Sequence, residues 1–103
     1  MKPTDRKYHR TDREILLEAA IKLAEEHGYL HVTRKQIADA TGSSPTNVSV
    51  IFGTMPELKR AIVSAAIARG NLPILAQALV MKHPKAMRAP EALRRAAAAT
   101  IGG

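Results

Sequence analysis

The chain predicts an all-α protein: a tri-helical helix-turn-helix core, a fourth helix, and a short helical C-terminal segment. Three observations carry this expectation. Helix starts are marked repeatedly by Thr-x-x-Glu/Gln or Ser-Pro steps, apolar residues recur at three- and four-residue spacing, and nothing alternates with a period of two.

Thr11-Asp12-Arg13-Glu14 has the spacing of a capping box, in which a hydroxyl and a carboxylate satisfy each other's backbone amides. From there Ile15, Leu16, Ala19, Ala20 and Leu23 form one stripe and Glu18, Lys22 and Glu25 the opposite face, predicting a helix from Asp12 to His27 that Gly28 stops. Thr33-Arg34-Lys35-Gln36 opens the second helix, with Val32 and Ile37 as a hydrophobic staple. Gly42 ends it early. Ser44 then caps, and Pro45 begins, a third helix whose buried side is Val48, Ile51 and Phe52. Gly53 closes it, and Thr54-Met55-Pro56-Glu57 opens a fourth that runs to about Arg69 on Leu58, Ile62 and Ala65 or Ala66.

Gly70-Asn71-Leu72-Pro73 reads as a break. A helix bearing Ile74, Leu75, Ala78 and Leu79 follows, ending near His83-Pro84. A last one starts at Ala89-Pro90-Glu91, with Leu93, Ala96, Ala97 and Ile101 on its apolar side and a frayed Gly102-Gly103. The expected organisation is a basic arm over 1–10, a core over 11–70 and a helical tail over 71–103.

Of the 103 residues 46% are apolar but only 3% aromatic, so the core must be aliphatic and rich in Ala. Such a core buries little area per residue, and a short chain gains from sharing surface with a partner. Without Cys there are no disulfides or thiolate metal sites. The polar start MKPTDRKYHR shows no signal peptide, and no stretch approaches a membrane span, so a cytoplasmic protein with no membrane partner is expected. Sixteen Lys and Arg against nine Asp and Glu give a net charge of +7. That balance favours a polyanionic partner, nucleic acid before membrane.

Catalysis is not expected. The four His are scattered, and Gly28 interrupts the helix that would bring His27 and His31 to one face. No nucleophile–base pair or phosphate-cradling loop appears, so no catalytic residue, metal site or cofactor is assigned.

Two short helices around Gly42, over roughly Thr33 to Ile51, have the helix-turn-helix pattern. Ile37 faces the core, Ala38 is small where the helices approach, and Val48 and Ile51 hold the second helix down. Pro45, Thr46, Asn47, Ser49 and Val50 are left to face outward.

With these residues in place, the stretch from Ile15 to Ile62 resembles the DNA-binding domain of TetR-like repressors. The likeness lies in ILLEAAIKLAEEHGY, in VTRKQIADATGSS, in Phe52 ending the recognition helix and in Glu57-Leu58 opening the next. It implies a transcriptional regulator that binds double-stranded DNA as a homodimer. Ser49 stands where the family usually has Tyr, and Met55 where it has Lys, so those backbone contacts are not carried over. The family's large ligand-binding domain has no counterpart of similar size in the roughly 33 residues that remain, and a small-molecule inducer is not expected. The core IADATGSSPTNVSVIF is also similar to the helix-turn-helix of small lambda-type phage repressors.

The recognition helix carries no charge, so Arg-to-guanine reading is excluded there. Asn47 could pair with adenine, Ser44 and Thr46 could use their hydroxyls, and Val50 could touch a thymine methyl, which predicts A·T pairs opposite Asn47 and Val50. Phosphate contacts fall to Arg34 and Lys35 in the first turn of the second helix, to Lys7 and Arg10 on the arm, and to Lys59. Dimer contacts are expected from the tail together with Val63 and Ile67, the alternative being a tail that covers the chain's own helices. Two other classes stay open beside a regulator or a small phage- or plasmid-type DNA-binding accessory protein. One is a tri-helical protein-interaction adaptor. The other is an RNA binder, weakened by the scarcity of aromatics for base stacking.

Overall fold

The computed structural model describes residues 12–102. Among these residues seven α-helices and one 3₁₀ turn follow in order: α1 (Asp12–His27), the turn (Tyr29–His31), α2 (Arg34–Thr41), α3 (Pro45–Phe52), α4 (Met55–Arg69), α5 (Leu72–Val80), α6 (Pro84–Met87) and α7 (Glu91–Gly102). None of these helices is long and apolar enough to cross a membrane.

The caps explain the boundaries. At α2 the Gln36 amide donates to Thr33 Oγ1 (3.1 Å) while the Thr33 amide donates to Gln36 Oε1 (2.9 Å). The same reciprocal pair recurs between Thr54 and Glu57 at α4 (3.3 and 2.8 Å). Ser44 Oγ accepts from the Asn47 amide (3.1 Å), with Pro45 in the first helical position where no amide is needed. The box expected at Thr11 lies outside the described residues.

Three local expectations are corrected. Pro73 sits in the first turn of α5, capped by Asn71, so the break narrows to Gly70 and Asn71. The chain restarts after Val80 as the four-residue α6, where His83 Nδ1 accepts from the Lys85 amide at 3.1 Å. On α1 the buried face is Leu16, Leu17, Ala20, Ile21 and Ala24, while Ile15 is exposed and Ala19 and Leu23 are half-buried. The face is turned by one residue because α5 packs on α1 in addition to α2, α3 and α4.

One core runs through both halves. Tyr29, Ile37, Leu58, Ile62 and Val63 are buried together with Ile74 and Leu75 of α5, Ala86 of α6 and Ala97 of α7. Ala76, Ala78 and Ala97 leave α5 and α7 little side chain between them, which suits close helix packing. Gln77 Oε1 accepts from the Tyr29 amide at 2.8 Å, satisfying a backbone donor in the 3₁₀ turn. Arg69 forks onto both carboxylate oxygens of Glu18 (2.9 and 3.0 Å), and Asn71 donates to Glu25 (2.8 Å), so the α4–α5 corner is tied to α1.

Val63, expected off the core stripe as dimer contact, has no exposed surface, and Ile67 is half-buried against the same core. The helix face chosen by spacing alone missed that α5 and α6 cover the second side of α4.

Candidate nucleic-acid interface

Between α2 and α3 the chain turns through Gly42, whose left-handed φ of 71° strains residues with a Cβ. The Ser43 amide closes the end of α2 on the Ala38 carbonyl (2.9 Å), and Thr41 Oγ1 donates to the Ile37 carbonyl (2.8 Å). Ile37, Ala38 and Val48 are all buried, so the two helices are locked from beneath.

The solvent side of α3 is uncharged. Val50 is 77% exposed, Pro45 and Thr46 are exposed, and Ser49 is half-buried. Asn47 does not share that face as expected. Its Nδ2 donates to Ser43 Oγ at 2.8 Å, and the side chain lies half-buried beside Asp12 and Ile15 of α1, lining a small cleft of about 230 Å³. Pairing with adenine would require it to leave Ser43. Ser44 is exposed, with its oxygen engaged in the cap.

Arg34 and Lys35 are adjacent in sequence but differ in surroundings. The Lys35 side chain is 78% exposed and pairs with Asp39 at 2.8 Å across one helical turn, a contact that raises its pKa. Arg34 is half-buried: Nη2 donates to the Gly53 carbonyl at 3.3 Å, and Nε is buried with no hydrogen-bond partner. Its guanidinium therefore clasps the start of α2 to the end of α3. Arg13, which spacing did not single out, lies over the Phe52 ring with its guanidinium carbon 5.2 Å from the centroid, bringing α1 to the same corner.

Lys59 falls elsewhere. It is half-buried in α4 and faces a cleft shared with Tyr29, Arg60, His83, Lys85 and Arg88, which no residue of α2 or α3 lines. Lys7 and Arg10 lie outside the described residues, as do Lys2 and Arg6. The place of Tyr29 in this cleft was signalled only by its position after Gly28 in an aromatic-poor chain.

His83 stands edge-on to Tyr29, with ring centroids 6.2 Å apart. Burial above all, and then the charges of Arg60 and Lys85, hold its imidazole below the usual 6.5. The unfolded chain therefore binds a proton that the folded chain resists. His83 stabilises the fold fully above about pH 6.5, and that contribution falls as pH drops towards the folded-state pKa. Protonation also removes Nδ1 as acceptor for the Lys85 amide. We predict that His83→Asn, which keeps a capping oxygen, flattens the decline in Tm between about pH 7.5 and about pH 5.5. Equal declines in the two proteins would exclude His83 as the cause.

No family model matches the chain, and no match is found among curated proteins or solved structures.

Proposed function

We propose that the chain is a sequence-specific double-stranded DNA-binding regulator of transcription, in which α2, the Gly42 turn and α3 act as a helix-turn-helix. The observation that carries this reading is the solvent face of α3. It is an exposed, uncharged edge of Pro45, Thr46 and Val50, held rigidly by buried Val48 and Phe52, with the exposed Lys35 on the preceding helix. A helix with small outward groups enters a major groove without steric conflict, and its flanking cations meet phosphates.

With Asn47 engaged by Ser43, base reading passes to Thr46 and Val50. The exposed Val50 side chain fits a thymine methyl, so selection from random duplexes is expected to return an A·T pair at that position. Recovery of only G·C there, or equal affinity for duplex, single strand and RNA in mobility shifts, overturns the reading. Grip comes from Lys35 more than Arg34. Lys35→Gln is expected to reduce the salt slope of binding by about 0.9, while Arg34→Gln leaves it nearly unchanged and lowers thermal stability. The opposite pattern would exchange their roles.

The regulator acts as a homodimer on a two-fold site with half-sites one helical turn apart. Its contact surface falls to exposed apolar residues of the last helices, such as Val80, Met81, Met87 and Ile101, rather than to Val63.

A further inference from the structure

We propose that the cleft between α4, the 3₁₀ turn and α6 binds a small organic molecule bearing phosphate or carboxylate groups, at a site separate from the DNA-reading face. The proposal stands independently of that face, since no residue of α2 or α3 lines the cleft.

Four cations converge on it: Lys59 and Arg60 from α4, Lys85 from α6, and Arg88, which caps the end of α6. Among the described residues no carboxylate lines it. Lys35, Arg69 and Arg95 each hold an ion pair, whereas these four have none among the described residues. Glu57, the acid of the adjoining cleft, directs its carboxylate to the Thr54 amide, and the charge of Arg60 acts on it only through space, without an ion-pair contact. Like charges gathered around a concavity repel one another, and an anion seated between them relieves that repulsion while accepting charge-assisted hydrogen bonds.

The shape narrows the occupant. The cleft encloses about 530 Å³, within the range of roughly 300–1,000 Å³ found for small-molecule sites. Its apolar lining is Leu30, Pro56 and Pro84 over the almost wholly buried Tyr29, with His83 edge-on to that ring. A duplex is a convex rod whose phosphates could touch these cations but not fill the concavity between them. A compact molecule with an apolar body and an anionic end reaches both.

The test uses the full chain at low ionic strength, titrated in separate arms with inorganic pyrophosphate and with citrate. Binding is followed by calorimetry and by the His83 imidazole resonances. Saturable one-to-one binding of either probe, with the His83 signals moving and its pKa rising towards or above the usual value, supports the proposal. The tighter probe then assigns phosphate or carboxylate. Lys85→Gln and Arg88→Gln, both at exposed positions, should each weaken it about tenfold, and Lys35→Gln should leave it unchanged. Absence of saturable binding by both probes, or binding that leaves His83 unmoved, overturns it. So does equal weakening by Lys35→Gln, which would mark diffuse charge attraction. If pyrophosphate and citrate fail while Lys85→Gln and Arg88→Gln reduce duplex affinity and its salt slope, the cluster belongs to the DNA surface instead.

Discussion

Replacing Gly53 with Ala is expected to destabilise the protein by about 2–4 kcal/mol, read as a fall in the urea midpoint at unchanged slope. Gly53 has φ 84° and ψ −138°, a backbone conformation that residues with a Cβ rarely adopt. An added Cβ would also overlap the Glu57 carboxylate. That carboxylate can swing away, but only by releasing the Thr54 amide and opening the α4 capping box, a loss of about 1 kcal/mol. The Gly53 carbonyl is moreover the acceptor for Arg34. Gly42 is the natural control: its φ is 71°, but nothing lies within 4 Å of the position a Cβ would take, so Gly42→Ala should cost only about 1–2 kcal/mol. Equal losses at the two glycines would show that the Glu57 contact contributes nothing.

Leu75→Ala should cost about 2–5 kcal/mol, because a fully buried side chain in a packed aliphatic core leaves a cavity that its neighbours fill only in part. The informative part is where the loss appears. Leu75 belongs to the same cluster as Leu17, Ile21, Ile62 and Val63, so the substitution should lower one cooperative transition of the whole chain. Amide exchange at Ile37 and Val48, on α2 and α3, should speed up along with that at Ala78. If α2 and α3 kept their protection while α5 lost it, residues 71–103 would be an appendage and the shared core would be wrong.

Glu57 adds a second acid-sensitive point, in a lower range than His83. Hydrogen bonding by the Thr54 backbone, first, holds its carboxyl below its ordinary 4.5. Its contribution is present above about pH 4.5 and disappears as pH falls through the folded-state value. Glu57→Gln, which keeps an acceptor for Thr54, should remove that dependence in acid melts while leaving the His83 decline intact. Loss of both declines together would show that the two groups do not titrate separately.

Helix boundaries were legible because their chemistry is local. Thr33 with Gln36, Ser44 with Pro45, and Thr54 with Glu57 each satisfy amides within three residues, and the structure has all of them in place. What spacing could not reveal depends on partners far along the chain. The face of α1 is turned by α5, Val63 is sealed by the added helices, and Tyr29 meets Gln77 across 48 positions. The candidate surface divides in the same way. The exposed Thr46 and Val50 follow from the period of α3, whereas Asn47 is drawn aside by Ser43 and Arg34 inward by Gly53. The basic cleft was hidden for a further reason: half of its charges come from α6 and its C-terminal cap, a helix too short to leave a periodic signature.

The hydrogen bond from the Tyr29 amide to Gln77 also bears on the timing of synthesis. While the ribosome is still making α5, the first four helices are complete in sequence but lack the residues that fill their floor and satisfy that amide. Until Gln77 and the helices around it emerge, the nascent chain exposes an aliphatic surface of the kind that draws chaperones and invites aggregation. A slow stretch of translation through α5 would therefore lengthen that vulnerable interval. Rapid synthesis of α5 to α7 would close it.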